Sequence, residues 1–364
     1  MKKIISFLIV VAFAVLALAS CAQSAPSGSE PSETTASTAA TTAAEEQTEP
    51  DYSDVKARTF ALKGPTGMGI AKLMDDAENG RAALDYEFTI VASPTEITPE
   101  ILAGRFEIAA VPVNLAATLY NKGADISVVA VNTLGVLYTI EKGNTVNSIY
   151  DLKGKTVYAT GKGSTPEYII NYLLENAGIS SDVNIIYLSD GVEVAANIIA
   201  GKDGVTIGIL PEPAVTSALV QDKSGEVRVA LDMSAEWDKI SDTPIVQGVI
   251  VMSNTFLKEY AGAAWKFVEE YKASTDYANS NIEEASVLIE KYGIVPKAAI
   301  AKRALPNCNI VCYKTAPSET ENNGKDMIKA MLEVLFEANP ASVGGKLPDS
   351  DFYDYPYPIP LYPD

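Results

Sequence analysis

The chain has 364 residues, 47% of them hydrophobic, and its 47 acidic residues outnumber its 28 basic residues to give a formal net charge of −19. So acidic a chain is not suited to nucleic acid, because binding to phosphate backbones depends on lysine and arginine. The sequence contains no histidine, which excludes the Ser-His and Cys-His relays and removes the usual zinc ligand. We therefore expect a protein that is not an enzyme and that carries no cofactor or metal.

Residues 1–20 have the pattern of an export signal. Lys2 and Lys3 precede an apolar run, Ile4 to Leu18, that is shorter than the roughly 20 residues a membrane-spanning helix needs. The run ends in Leu-Ala-Ser-Cys, which resembles a bacterial lipobox. The resemblance implies cleavage before Cys21, diacylglycerol on its thiol, and palmitate on the mature lipoprotein. The alternative is ordinary secretory cleavage near Ser20. Lipidation would hold the protein at the extracellular face of the bacterial cytoplasmic membrane, which is the periplasmic side in a Gram-negative cell.

Residues 21–54 contain the lipidated cysteine followed by a stretch of Ser, Thr, Ala, Pro and Glu with almost no large apolar residue. Such a stretch cannot bury enough surface to offset the entropy of ordering. We expect it to be a disordered stalk that tethers the folded part to the membrane.

Strand-forming and helix-forming stretches alternate through the next 80 residues. In chain order they are strand 58–62, glycine turn 63–69, helix 70–78, strand 86–92, short helix 99–103, strand 107–113, helix 114–120 and strand 126–131. Alternation at this spacing implies parallel strands with helical crossovers. The sequence thus predicts a first α/β lobe.

The same order of elements recurs after residue 134, where the chain is expected to cross to a second lobe. It runs through strand 155–159, glycine turn 161–164, helix 168–176, strand 183–188, helix 192–200, strand 205–210, helix 214–220 and strand 227–232. The apolar stretch 245–252 is predicted to cross back, and mostly helical sequence follows at 254–279 and 281–291. Two crossings predict a hinge between lobe 1 (55–135 plus 251–364) and lobe 2 (136–250).

Each predicted lobe opens with a strand that runs into a glycine loop and a helix. In the second lobe Gly161 and Gly163 break the strand, Ser164 and Glu167 fit a capping box, and Pro166 suits the first helical turn. Outward-pointing N–H groups at such a helix start favour an anionic or strongly accepting ligand group. Alone, either loop is also compatible with an ordinary turn; two together predict a cleft between the lobes.

Polar residues at the predicted carboxyl ends of strands are candidates for ligand binding, because open α/β sheets bind ligands there. Asn114 and Thr133 follow strands of the first lobe, although Asn114 also suits a helix cap. Glu212 follows a strand of the second lobe, although a glutamate between two prolines also suits a turn. Gln247 lies on the stretch that crosses back, and Trp237 is expected to pack.

Cys308 and Cys312 are the only cysteines of the predicted folded part. Four residues along an extended strand span roughly 13 Å, which exceeds bridging distance. We expect two buried thiols, and a disulfide remains the alternative because the export signal predicts an oxidising environment.

The lipobox, GPTGMG, AGRFEIAAVPVNLAATLYNKG, DLKGKTVYATGKGSTPEY, LPEP and the late GGKLPDSDFY resemble solute-binding lipoproteins of ABC importers. The resemblance is to the group that binds nitrate, sulfonate, taurine and thiamine pyrimidines, and it covers essentially the whole mature chain. It implies a type II periplasmic-binding fold, with two α/β lobes joined by two crossover strands. It supports seven residues as cleft-lining: Thr66, Gly67, Met68, Asn114, Ser164, Thr165 and Glu212. The second glycine loop and the strand ends add three further candidates, Gly163, Thr133 and Gln247.

The resemblance implies a monomeric receptor that captures a small organic or anionic solute (sulfonate, nitrate or pyrimidine-like) and delivers it to a membrane permease. The sequence departs from a dedicated anion clamp, since no arginine is placed for one and Lys63 and Lys162 lie where they can point to solvent. A scaffold or adhesin lipoprotein that kept the fold is the alternative. A pyrimidine synthase is less favoured, because that relative depends on a histidine of its own chain.

Overall fold

The computed structural model describes residues 50–316 and 323–354, all within one compact unit. The predicted signal peptide, Cys21 and the stalk up to residue 49 lie outside the described residues. No helix in the described ranges is both long enough and apolar enough to cross a membrane.

The first half of the chain alternates strands and helices as predicted. Its elements are β1 (Lys56–Leu62), α1 (Pro65–Met68), α2 (Ala71–Glu78), β2 (Asp85–Val91), α3 (Pro94–Leu102), β3 (Ile108–Pro112), α4 (Val113–Asn121) and β4 (Ile126–Leu134). The predicted start of α3 at Pro99 is wrong. Ser93 and Glu96 form a capping box that starts the helix five residues earlier, and Pro99 lies inside it.

The second run of elements follows after only two residues. It comprises β5 (Leu137–Lys142), β6 (Thr156–Ala159), α5 (Thr165–Asn176), β7 (Asn184–Tyr187), α6 (Gly191–Ala200), β8 (Ile207–Pro211), α7 (Ala214–Gln221), β9 (Val227–Asp232) and α8 (Met233–Trp237). The helices that follow β6, β7 and β8 are crossover helices, so each one leads to another strand that runs in the same direction.

The last part of the chain returns to the first sheet. It contains β10 (Val246–Ser253), α9 (Asn254–Glu259), α10 (Ala261–Ser280), α11 (Ile282–Lys291), α12 (Ala298–Ala304), β11 (Ile310–Lys314) and α13 (Gly324–Ala338). The sequence did not predict α12 or α13. β10 pairs with the first sheet from Val246 onward, and the exact lobe boundaries (55–135 with 251–364, and 136–250) remain a prediction.

The strands form two sheets with one plan. The first has the order β11-β4-β10-β3-β1-β2 and the second β7-β6-β8-β5-β9. In each sheet the strand next to a crossing, β10 in the first and β5 in the second, runs antiparallel to both of its neighbours. In the first sheet β11 is also antiparallel to its neighbour β4. The predicted two-lobed α/β fold with two crossovers is confirmed, although the second crossing passes through α8 and residues 238–245.

Burial explains which strands are central. β3 (IAAVP) and β4 (ISVVAVNTL) are almost entirely buried, as their continuous apolar sequences require, whereas the edge strand β2 alternates exposed and half-buried residues. One hydrophobic cluster includes residues of both lobes, among them Val111, Val113, Ala159, Tyr168 and Trp237. The lobes therefore share a packed interface. Cys308 and Cys312 are buried free thiols, as predicted.

Candidate functional site

The carboxyl edges of the two sheets lie beside one another because the chain crosses between them there. β4 ends at Leu134 and β5 begins at Leu137, so only Gly135 and Val136 join the lobes at the first crossing. A Cβ on Gly135 would lie 2.2 Å from Ser234 Oγ at the start of α8, so a side chain here would require Ser234 to move. Asn309 Nδ2 donates to Gly135 O at 2.6 Å and fixes the crossing from the first lobe.

The two glycine loops occupy equivalent places at these edges. Gly64 lies two residues after the end of β1 and Gly161 two residues after the end of β6, with φ of 86° and 81°. A side chain is strained in this left-handed region, which explains the glycines. Gly64 also lies opposite the other lobe, since a Cβ there would be 3.9 Å from Pro213 Cδ. The loops therefore lie on the two sides of one interlobe junction.

Asn114 and Thr165 join the lobes directly. Thr165 Oγ1, at the start of α5, donates to Asn114 Oδ1, at the start of α4, over 3.0 Å. Thr165 is fully buried and Asn114 is 9% exposed. Both residues were predicted as ligand-binding, and the structure brings them together. The amide nitrogen of Asn114 makes no hydrogen bond to any described residue.

A second set of polar groups lies at the carboxyl edge of the first sheet. Asn132 Nδ2 donates to Thr66 O at 2.9 Å, and Thr133 Oγ1 donates to Asn132 Oδ1 at 3.2 Å. Gly248 of β10 packs against them, since a Cβ there would lie 2.5 Å from Asn132 Oδ1. The neighbouring Gln247 is half-buried, and within the described ranges its Oε1 is buried without a hydrogen-bond partner. The backbone of Thr66 is thus held by Asn132, the residue before Thr133 at the end of β4.

Glu212 provides the only charged side chain among the predicted cleft residues, and it is 2% exposed. It follows β8 and precedes α7, where its carboxylate accepts Thr216 N at 3.0 Å and Thr216 Oγ1 at 2.9 Å. Burial raises the pKa of Glu212 above its ordinary range, and the bonds from Thr216 only partly oppose that effect. No ion pair with Glu212 occurs among the described residues.

Asn307, which sequence reasoning missed, links Glu212 to the first lobe. Its Nδ2 lies 3.5 Å from Glu212 Oε1, and its backbone oxygen accepts from Tyr138 OH of β5 at 3.1 Å. Asn307 ends a 3₁₀ turn before β11, so its sequence context (LPNCN) carries no sign of a cleft residue. Burial raises the pKa of Tyr138, and the charges of Asp232 and Glu212 add to this effect.

Four predicted residues make local contacts. Gly67 lets α1 pack on the end of β1, because a Cβ there would lie 2.2 Å from Leu62 O, and Met68 is fully buried in the first-lobe core. The exposed Gly163 donates its N–H to Glu167 Oε2 at 2.5 Å, and Ser164 Oγ donates to Gly161 O at 2.6 Å.

The capping box predicted at Ser164 and Glu167 is wrong. Ser164 is the N-cap residue of α5, but its side chain makes no cap hydrogen bond. Its Oγ turns back to the loop instead, and Glu167 reaches one residue further to Gly163. The expectation that this loop offers free N–H groups to an anion is therefore corrected in part, since a carboxylate of the chain already occupies one of them.

The site gathers amides, hydroxyls, backbone groups and one buried carboxylate from both lobes. These groups can hold a polar solute by hydrogen bonds. No group of three or more Cys, Asp or Glu side chains in the described ranges is arranged to hold a metal ion.

The fold is similar to that of solved solute-binding proteins. An ABC transporter structure from Parabacteroides distasonis has a TM-score of 0.69 and 24% identity, and the match covers 84% of this chain and 100% of that chain. The periplasmic aliphatic sulphonate binding protein of Escherichia coli has a TM-score of 0.61 and 17% identity, with 82% and 92% covered. The periplasmic nitrate-binding protein of Synechocystis PCC 6803 has a TM-score of 0.54 and 13% identity, with 80% and 84% covered.

These similarities confirm, at the level of the fold, the resemblance to ABC-importer binding proteins that the sequence predicted. Residues 68–303 also match the model of a protein family described as Menaquinone biosynthesis. The match spans more than half of the chain, and the chain belongs to this family. A search of curated protein sequences finds no match.

Proposed function

We propose that this protein is the solute-binding receptor of an ABC importer. The observation that carries the proposal is the bond from Thr165 Oγ1 to Asn114 Oδ1, which joins the facing edges of two similarly built lobes. Cleft-lining groups from both lobes favour a closed state when a solute satisfies them together. The solute is a small organic or anionic compound, with sulfonate, nitrate and pyrimidine-like compounds as candidates, and the site residues named above bind it.

The receptor is lipid-anchored through Cys21 at the extracellular face of the cytoplasmic membrane and acts as a monomer. Residues 21–54 keep it near a membrane permease and so raise its effective concentration there. Replacing Cys21 with Ser should move the protein from the membrane fraction to the soluble fraction. An unchanged membrane fraction would contradict the anchor and leave the binding role unaffected.

Thermal unfolding against a panel of sulfonates, nitrate, pyrimidines and aromatic acids tests the binding role. A true ligand stabilises the folded state by about 2.7 kcal/mol at a hundredfold excess over Kd. Absence of stabilisation by every imported metabolite would favour a scaffold or adhesin that kept the fold.

An enzyme of menaquinone biosynthesis is the second candidate, and the family match over residues 68–303 is the observation that favours it. The chain has no histidine, so a proton transfer here would depend on groups such as Glu212. Deleting the gene and measuring cellular menaquinone separates the two. Unchanged menaquinone together with lost uptake of one solute supports the receptor, whereas lost menaquinone supports the enzyme.

A further inference from the structure

Helices of the second lobe begin beside carboxylates of the chain itself. α5, α6, α7 and α8 follow β6, β7, β8 and β9, whose carboxyl ends lie at one edge of the sheet. Near the start of each helix a backbone N–H donates to a carboxylate, and these acceptors are Glu167 (2.5 Å), Asp190 (2.9 Å), Glu212 (3.0 Å) and Asp232 (2.8 Å). A helix start attracts an external anion through free N–H groups and a positive dipole end. Here carboxylates of the chain itself already accept hydrogen bonds from N–H groups at these helix starts.

The first lobe differs at the helices that follow β1 and β3. The helices after β1 and β3 have no side-chain cap and no acidic residue in their first turn. The polar groups beside them are amides and hydroxyls, and two of these have unused bonding capacity. Asn114 Nδ2 has no partner in the described ranges, and neither has the buried Gln247 Oε1. Buried polar groups are normally paired, so the unpaired Gln247 Oε1 at this junction indicates where a ligand donor binds.

The predicted cleft residues include no basic side chain. Lys63 and Lys162, the basic residues of the two glycine loops, are exposed and form no ion pair there. Glu212 is buried at the junction with Thr216 and Asn307 as neutral partners. A free anion bound beside it would face an uncompensated buried carboxylate, which is strongly unfavourable. An N–H donor or a cationic nitrogen would instead complete its coordination.

We infer that the solute is not a net anion, and that it presents N–H donors or a cationic nitrogen to Glu212 while its other end contacts Asn114 and Gln247. This inference rests on the proposed receptor function and narrows its solute class. The second lobe binds the donor end of the solute, and the first lobe binds the end that carries both acceptors and donors.

The test uses the purified full chain and an aqueous bacterial metabolite extract that ion exchange separates into net anionic, neutral and cationic fractions. Thermal unfolding is measured with each fraction in the presence of EDTA. The neutral or the cationic fraction should raise the melting temperature by about 2 °C or more, as saturating ligands do. A rise with the anionic fraction alone would overturn the inference and support the receptor. No rise with any fraction would contradict the receptor itself.

A pair of variants then assigns the contact. Glu212→Gln should weaken binding of the stabilising compound at least tenfold, because the charged acceptor is lost. Asp222→Asn removes another buried carboxylate at the opposite end of α7 and should leave binding unchanged. Unaltered binding in Glu212→Gln would overturn the role of this residue. The wild-type measurement decides the charge class even where a variant fails to fold.

Discussion

The carboxyl edges of the two sheets have the same topology and different chemistry. A glycine loop lies two residues after β1 in the first sheet and two residues after β6 in the second, and one strand of each sheet, β10 or β5, lies antiparallel between two others. The edge of the second sheet nevertheless carries carboxylates at four helix starts, whereas α1 and α4 of the first lobe start without any. Topology therefore determines where loops and helix ends meet, and individual side chains determine which charge the junction presents.

The same contrast exists between two buried glutamates of the second lobe. Glu141 is 1% exposed, and burial alone would raise its pKa. Hydrogen bonds from Thr145 and Val146 and the charge of Arg228, whose Nη2 lies 2.8 Å from Glu141 Oε2, outweigh burial and lower the pKa. Glu212 is 2% exposed, has no such cation, and has a raised pKa. One carboxylate is therefore paired with a cation, whereas the other has only neutral partners, Thr216 and Asn307, among the described residues.

The largest expected effect is on Glu141. Glu141→Gln should lower the free energy of unfolding by about 3 kcal/mol, because it leaves the partly buried Arg228 without its partner. Glu212→Gln should change it by less than about 1 kcal/mol, because no cation loses its partner and the amide oxygen of glutamine can still accept from Thr216. Urea unfolding measures both.

A matched surface control is Glu226→Gln, since Glu226 is exposed and its oxygen lies 3.7 Å from Lys142 Nζ. It should change stability by no more than about 0.5 kcal/mol. Equal losses in Glu141→Gln and Glu212→Gln would remove the distinction between the two carboxylates.

A smaller effect is expected at the bond between the lobes. Thr165→Val keeps the shape of the side chain but leaves Asn114 Oδ1 buried without a donor, which should cost about 1–2 kcal/mol. Thr165→Ser retains the hydroxyl and should retain most of the stability. If the valine variant unfolds at the wild-type urea concentration, the bond contributes nothing to the junction.

The pH dependence of stability distinguishes the glutamates by sign. Burial raises the folded-state pKa of Glu212 above its ordinary value of 4.5, so the folded state holds its proton to higher pH than the unfolded state does. Its stabilising contribution is present at low pH and is lost as pH rises through the folded-state pKa. Glu141 behaves oppositely: its lowered pKa gives stability above 4.5 that is lost as pH falls.

Unfolding free energies of wild type and Glu212→Gln between pH 4 and pH 8 measure this effect. The wild-type advantage over the variant should shrink as pH rises. An advantage that grows with pH would show that Glu212 is stabilised as a carboxylate in the folded state.

Much of this architecture was predictable because alternating strands and helices leave a strong periodic pattern. β9 was predicted at Val227–Asp232, its observed bounds, and both glycine loops were found from the Gly and hydroxyl residues after β1 and β6. These are local signals. The pairing of Thr165 with Asn114 depends on two segments 51 residues apart, so the sequence predicted each residue as a candidate but not their contact.

The unpredicted part of the site depends on long-range packing. Asn307 reaches Glu212 across 95 residues of sequence, and nothing in the turn that holds it indicates such a contact. The spacing of Glu167 from Ser164 likewise does not determine which backbone N–H its side chain accepts from. A glutamate three residues after a serine fits a capping box, yet here it bonds Gly163 and so changes the charge of the loop.

The smallest expected change in stability concerns the two glycine loops. Substitutions there should weaken ligand binding while leaving the stability of the empty protein almost unchanged. Thr66 contributes its backbone oxygen to Asn132, so loss of its hydroxyl leaves that bond intact, and Ser164 loses one bond to Gly161 in a half-buried loop. Thr66→Ala combined with Ser164→Ala should therefore lower the melting temperature of the empty protein by no more than about 3 °C. Binding of the stabilising compound, measured by calorimetry, should weaken at least fivefold because each lobe loses one hydroxyl at the junction. A large fall in melting temperature with unchanged affinity would mean that both residues serve their turns alone.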